Sequence, residues 1–334
     1  MTRTLLSRED AGRVLAPFGL SARAITVIAQ GTVNSNFRVE TDGGTVFLRV
    51  NEGKRREDVD YEGALLWHLA GRRFPTPQPL RTSSGTPYVQ VAGHLCTVFP
   101  WVEGHHVPEG DITAAHADRL GELLARMHVV AADFPGLRRG IYTFERIVER
   151  VARLSRRAAG VAEVAAVLPL LEDEIAWLGA ARPVLTGLPL GTIHGDLFPD
   201  NLLWAGERLV AALDFEQASR GQLAYDLAVT LLANCWREGA LVDGLAWSLL
   251  SGYQRVRELT LGEREGLWAL CRTAALRFTV TRITDVFLPS LAAQSPAQPG
   301  KDFRDFLARL SWLRERGADA LLPMVGERPP LRAV

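Results

Sequence analysis

The sequence predicts an α+β fold in two parts, a small sheet-rich one followed by a large, mostly helical one. Apolar residues alternate with period two through much of residues 25–99, and from Asp111 onward they recur at helical spacing. The helical run is interrupted at 193–214, where short apolar segments bracket a polar cluster. At 334 residues and 47% hydrophobic content, the chain is long enough to bury a full core.

Residues 8–18 read as a short amphipathic helix with Val14, Leu15 and Phe18 on its apolar face. Residues 25–28 are β-branched and strand-like, 31–36 a turn, and 37–40 alternate. Asp42-Gly43-Gly44 is a hairpin turn leading into a strand over 45–50. A helix over 57–71 is closed by Gly71, and Pro75, Pro77 and Pro79 mark an extended linker. Strands follow at 87–91 and 94–99, and Phe99-Pro100-Trp101-Val102-Glu103-Gly104 joins the parts, giving domains 1–103 and 104–334. Helices are predicted at 113–130, 142–158, 161–180, 222–237, 242–257, 263–287 and 301–322, with a mobile loop at 289–300.

Composition narrows the function. Lys+Arg and Asp+Glu both total 38, so no global basic field recruits nucleic acid or a membrane surface. No apolar stretch approaches a membrane span, and the N-terminus lacks a secretory apolar core. Cys96, Cys235 and Cys271 are widely spaced in apolar contexts, as buried thiols of a reducing cytoplasm would be. A cytoplasmic monomer or homodimer is the expectation.

The chemistry lies in Ile193-His194-Gly195-Asp196-Leu197-Phe198-Pro199-Asp200-Asn201, followed by Leu213-Asp214-Phe215. Asp196 precedes Asn201 by five residues, and Asp214 follows Asn201 by thirteen. Phosphoryl transfer from ATP needs this set: a carboxylate for the hydroxyl proton, then an amide and a second carboxylate for Mg²⁺. Asp196 takes the first role, Asn201 and Asp214 the others. The cofactors expected are therefore ATP and Mg²⁺, and the partner is a small-molecule hydroxyl substrate.

This segment resembles the catalytic core of the aminoglycoside phosphotransferase and choline kinase superfamily, the small-molecule branch of the protein-kinase-like fold. The resemblance implies a bilobal molecule, with an antiparallel sheet and a helix in the N-lobe and a mostly helical C-lobe. Gly195 stands where protein kinases carry an arginine, and the gap from Asp214 to Tyr225-Asp226 leaves little room for a protein-docking segment. In this frame the stretch 30–36 lies where kinases cover the phosphates. Asn34, Ser35 and Asn36 then contact phosphate oxygens, or form an Asn-rich hairpin turn without a ligand. Arg49 grips the α/β-phosphates in place of a lysine, with Glu62 as its helix partner and Glu57 as second candidate. The alternative for Arg49 is a solvated edge-strand arginine; Lys54 is read as surface. Phe99 and Trp101, in the hinge, present backbone groups to adenine. His194 orients the loop, and Asp226 anchors it or simply favours a helix N-terminus. His105 and His106 read as solvated, and Trp67, Trp177, Trp204, Trp236 and Trp268 as core.

Further segments are similar to the bacterial homoserine kinases of kinase-like fold. These are Gly31-Thr32-Val33-Asn34-Ser35-Asn36-Phe37, Phe74-Pro75-Thr76-Pro77, the 194–201 loop, the helix from Arg272 to Asp285, and Lys301-Asp302 with Asp305-Phe306. This implies L-homoserine as acceptor, with Arg277 or Arg282 available for its carboxylate. Arg282 and Asp285 are also spaced to pair with each other. Pro199, Glu216-Gln217 and Thr281 depart from the family pattern, and Glu216 is assigned to the acceptor pocket, which leaves other acceptors open. Those are an aminoglycoside or other antibiotic, choline or ethanolamine, or a sugar. A nucleotide-binding pseudokinase is the third reading, opposed by the intact Asp196, Asn201 and Asp214.

Overall fold

A computed structural model describes residues 4–28, 34–157, 160–294, 300–318 and 321. The chain packs as two compact units, and both are discontinuous in sequence. The first comprises Met1–His106, Val130–Arg138 and Asn201–Ala218; the second comprises Val107–Val129, Arg139–Asp200 and Ser219–Val334. Residues 201–218 thus pack with the N-terminal residues.

The first unit opens with α1 (Arg8–Leu15), whose N-cap Ser7 and Asp10 bond each other's backbone amides in a capping box. Strands β1 (Ala22–Ile28), β2 (Ser35–Thr41) and β3 (Gly44–Asn51) follow, then α2 (Arg56–Gly71), β4 (Tyr88–Val91) and β5 (His94–Pro100). The sheet is antiparallel in the order β1-β2-β3-β5-β4. Alternate residues of β2, β3 and β5 (Phe37, Val39, Leu48, Val50, Cys96, Val98) bury together against Ala11, Val14 and Leu15 of α1. Each large apolar side chain so buried contributes roughly 1.5–3 kcal/mol. The period-two pattern of the sequence is this face.

In the second unit, α3 (Ala114–Val130), α4 (Phe144–Arg157), α5 (Ala162–Ala165) and α6 (Leu168–Leu185) lead to β6 (Leu190–Ile193). The β7–β8 hairpin (Leu202–Ala205, Arg208–Ala212) belongs to the first unit; β9 (Ser219–Gln222) returns to pair with β6. Then come α7 (Leu223–Asn234), the small β10–β11 hairpin (Trp236–Arg237, Ala240–Leu241), α8 (Asp243–Gln254), α9 (Leu261–Arg282), α10 (Leu288–Ala292) and α11 (Phe303–Arg316). Helix α9 is the axis of this unit, packing on α4, α6, α7 and α11. Helices α3 and α8 cross with their backbones in contact. A Cβ on Gly121 would overlap the Leu249 carbonyl, and one on Gly252 the Asp118 carbonyl, so both crossing points require glycine.

Some boundaries differ from expectation. The helix expected over 161–180 is two, because Pro169 is tolerated in the first turn of a new helix and not in the interior of an old one. The helix expected over 263–287 ends at Arg282 and passes into a π-helix, Ile283–Phe287. The expected loop at 289–300 begins as helix α10, and its residues 295–299 lie outside those described. Among the described residues no helix is long and apolar enough to cross a membrane.

Candidate active site

In the first unit, antiparallel pairing brings two distant residues together. Leu202 of β7 faces Ala212 of β8, so Asn201 and Asp214 emerge at the same end of the hairpin. The Leu213 N–H donates to the Asn201 carbonyl at 2.9 Å, and Ala212 N–H to the Pro75 carbonyl at 2.9 Å. Asp214 has φ +58°, a left-handed conformation uncommon outside glycine and tolerated best by Asp and Asn. An amide and a carboxylate are hard oxygen donors, which suit Mg²⁺. Among the described residues there is no cluster of three His, Cys, Asp or Glu able to hold a metal by itself. A two-donor site fits Mg²⁺, which is usually bound by one or two carboxylates plus substrate phosphates.

Arg49 lies on β3, between β2 and β5, so it is buried in the sheet and not on an edge. Its Nη2 donates to Glu62 Oε2 at 2.6 Å, and its Nη1 is 3.8 Å from Asp214 Oδ1. Burial works against the guanidinium charge, but Glu62, then Asp214 and Glu216, outweigh it and raise the Arg49 pKa further above its ordinary value. Glu57 is exposed and Glu62 buried, which settles the helix partner.

Glu216 is buried in the 3₁₀ turn Phe215–Gln217. Its Oε2 accepts from Asn34 Nδ2 at 2.7 Å and lies 3.4 Å from Lys54 Nζ. Its carbonyl accepts from Arg138 Nη1 at 2.6 Å, and Arg138 also pairs with Asp58 at 3.2 Å. The structure therefore groups Glu216 with Asn34 and Lys54. It also corrects the placement of Lys54, whose side chain is only 21% exposed. Asn34 Oδ1 accepts the Glu52 N–H at 3.3 Å, and Ser35 Oγ donates to Glu52 Oε1 at 2.7 Å. Asn36 stands opposite Arg49 in the β2–β3 register. Residues 30–33 of the expected phosphate loop lie outside the described ones.

At the hinge, Trp101 N–H donates to Thr45 O at 3.3 Å, and Val98 O accepts from Leu80 N–H at 2.8 Å. In an antiparallel pair the backbone groups alternate in direction. Odd-numbered residues of β5 thus bond β3, and the Pro100 carbonyl, like that of Val98, faces away from it. The Phe99 ring is buried beside Arg49, and Trp101 lies under Arg38. His105 and His106 are exposed, as expected, and His106 Nδ1 is 2.9 Å from the Leu202 carbonyl.

In the second unit, β6 delivers His194, Gly195 and Asp196. The His194 and Gly195 N–H groups both donate at 2.7 Å to the Asp226 carboxylate, which is fully buried in the first turn of α7. Gly195 has φ +77°, which glycine adopts without strain. Burial opposes ionisation of Asp226, but hydrogen bonds from His128 and the Gly195 amide hold its pKa below the ordinary carboxylate value. Asp196 N–H donates to His194 Nδ1 at 3.3 Å, and Asn234 Nδ2 donates to Leu197 O at 2.9 Å.

Arg277 of α9 is 5% exposed, with Nη1 3.6 Å from Asp196 Oδ1. Its Cζ is 4.2 Å from the Tyr142 ring centroid and 3.7 Å from that of Phe278. Neither Nε nor Nη1 has a hydrogen-bond partner among the described residues. Arg282 is held otherwise, by Asp305 at 3.2 Å and the Asp302 carbonyl at 2.8 Å. Asp285 pairs with Arg150 at 2.6 Å and not with Arg282. The expected i,i+3 pair fails because the π-helix beginning at Ile283 rotates Asp285 off the stripe. Asp200 pairs with Lys301 at 3.4 Å.

Sequence reasoning missed Arg138, His128 and Tyr142, and misplaced Lys54. None sits in a motif, and each meets its partner only after a long loop has closed.

Residues 24–259 match the model of the phosphotransferase enzyme family. The homoserine kinase of Methylocella silvestris is 34% identical over 319 residues, which cover 94% of this chain and 96% of the relative. A microcompartment-associated aminopropanol kinase superposes with TM-score 0.67 at 18% identity, covering 95% of this chain and 100% of its own. A spectinomycin phosphotransferase, solved with ADP and spectinomycin, superposes with TM-score 0.66 at 13% identity, covering 96% of this chain and 99% of its own. The protein has the fold of these small-molecule kinases, and it belongs to the phosphotransferase enzyme family.

Proposed function

We propose that this phosphotransferase is an ATP- and Mg²⁺-dependent kinase that phosphorylates the hydroxyl of L-homoserine. The observation that carries the acceptor is Arg277: a buried guanidinium, short of hydrogen bonds, 3.6 Å from Asp196. A buried cation without full hydrogen bonding is costly, so an acceptor carboxylate that meets it gains what water would otherwise supply. In homoserine the hydroxyl oxygen and carboxylate carbon are four bonds apart, about 5 Å when extended. One small hydroxy acid can therefore address both Asp196 and Arg277. The relatives named homoserine kinase support the same acceptor.

In this reading the first unit serves the nucleotide and the second the acceptor. The Pro100 carbonyl and Val102 N–H meet the adenine edge, a refinement of the Phe99 and Trp101 expectation. Arg49, oriented by Glu62, holds phosphate oxygens through its planar fork. Asn201 and Asp214 hold Mg²⁺, which when bound offsets phosphate charge. Asp196 accepts the hydroxyl proton, and Asp226 fixes the loop that carries it. Arg277 takes the carboxylate; Arg282, already held by Asp305, supports α9.

The test is an ADP-release screen over L-homoserine, 3-aminopropan-1-ol, choline, sugars and aminoglycosides. Homoserine should exceed the amino alcohol, which lacks the carboxylate, by about ten- to a hundredfold in kcat/KM. Arg277→Ala should erase most of that difference. Turnover of choline or an aminoglycoside with none of homoserine would overturn the acceptor and leave phosphotransfer standing.

A further inference from the structure

In the second unit, Arg277 lies in an aromatic clamp built from two helices. Its Cζ is 3.7 Å from the ring centroid of Phe278, its neighbour on α9, and 4.2 Å from that of Tyr142, which stands just before α4. The Tyr142 ring has a second cation beside it, the Arg150 guanidinium, 5.5 Å from the centroid. Arg150 sits further along α4 and is itself tied: its Nη1 donates to Thr284 Oγ1 and, at 2.6 Å, to Asp285 Oδ1. Both acceptors belong to the π-helix that follows α9. The π-turn that takes Asp285 away from Arg282 thus gives it to Arg150, and Arg150 backs the ring that covers Arg277.

A ring stacked on a guanidinium attracts the charge through its electron-rich face and leaves the in-plane N–H groups uncovered. In Arg277 two of those groups, Nε and Nη1, have no hydrogen-bond partner among the described residues. Asp196 Oδ1 lies 3.6 Å from Nη1, which is an attractive distance but longer than the about 2.7–2.9 Å of a charge-assisted hydrogen bond. The rings hold the fork short of Asp196, with its donors open. An Arg277 without that cover would close the gap and occupy both its own donors and the catalytic carboxylate.

We propose that Tyr142 is a specificity-determining residue for the acceptor. Backed by Arg150 and Asp285, its ring fixes the plane of the Arg277 fork, so that the fork takes a planar acceptor carboxylate and not Asp196. The proposal rests on the acceptor reading above, and it assigns the role to the ring and not to the hydroxyl.

The experiment measures kcat/KM of the full chain for L-homoserine and for 3-aminopropan-1-ol by ADP release, and reads their ratio. Tyr142→Ala should lower the ratio about tenfold, the size of a desolvated cation–π contact, with the KM for ATP within twofold. Tyr142→Leu, which keeps bulk but no ring, should lower it as much and serves if the alanine variant does not fold. Tyr142→Phe, which keeps the ring, should hold the ratio within threefold of wild type. Arg150→Met should lower it about threefold. In an Arg277→Ala background, Tyr142→Ala should change it less than twofold, because the ring then has no fork to hold. A wild type that favours homoserine, with a folded Tyr142→Ala or Tyr142→Leu enzyme that keeps the full preference, overturns the inference and leaves the acceptor reading standing. So does a tenfold fall that persists without Arg277. A wild type that does not favour homoserine overturns both.

Discussion

Replacing Glu62 by alanine removes the carboxylate that accepts a 2.6 Å hydrogen bond from Arg49. Both side chains are under a tenth exposed, so water cannot stand in for the lost partner. At an effective dielectric of about 20 the 2.6 Å pair is worth roughly 6 kcal/mol of attraction. Asp214, 3.8 Å from the same guanidinium, offers about 4 kcal/mol by the same rule. That attraction is already present beside Glu62 and does not offset its loss; breaking a buried pair costs roughly 3–5 kcal/mol, of which about 2 kcal/mol is expected to fall on Mg·ATP binding as the guanidinium leans on Asp214. In the proposed enzyme this shift harms both phosphate and Mg²⁺ binding, because Asp214 must now serve Arg49 as well. The expected result is about thirtyfold weaker Mg·ATP binding by calorimetry, the equivalent of 2 kcal/mol. Glu62→Gln, which keeps an acceptor but not the charge, should lie between. Mg·ATP affinity within threefold of wild type in Glu62→Ala would refute the reasoning.

Further outcomes are expected. Asp196→Asn should lose about 10²–10⁴-fold in kcat with ATP affinity nearly unchanged; turnover within a few-fold of wild type removes Asp196 from the mechanism. Asp214→Ala should lose Mg²⁺-dependent nucleotide binding, since a cation with few protein ligands cannot replace one; unchanged Mg·ATP calorimetry sinks the assignment. The Asp226 pKa is lowered, so its contribution to stability is present above the ordinary 3.8 and is lost as pH falls through the folded value. Asp226→Asn should flatten the acid limb of a stability-versus-pH curve, and an unchanged limb counts against the buried carboxylate. Burial raises Cys96 from 9.0 to about 12, so its contribution is intact below 9 and fades across that interval. Cys96, Cys235 and Cys271 are all buried, so a thiol reagent at neutral pH should label none in the native protein and all three after denaturation.

The local parts of the molecule were legible in the sequence. Strands β2, β3 and β5 follow from alternating side chains that need one buried face, as Phe37, Val39, Leu48 and Val98 show. The link between Asn201 and Asp214 was legible too, because a hairpin joins residues close in sequence and its turn at Gly206 sets the register. Arg49 with Glu62 needed only a strand followed by a helix, thirteen residues apart. The boundaries at Pro169 and Ile283 were less clear, since apolar spacing runs on unchanged through a helix restart or a π-turn.

By itself the sequence determined the elements, the order of Asp196, Asn201 and Asp214, and the family, because each depends on residues near one another in the chain. Tertiary structure decided the partners. Glu216 meets Asn34 across 182 residues, His128 meets Asp226 across 98, and Arg282 turns from Asp285 to Asp305, 23 residues on. At such separations the chain entropy of loop closure varies slowly with length, so spacing barely distinguishes one partner from another. The choice is made by burial, which forces each charge to find a counterpart wherever the packed fold has placed one.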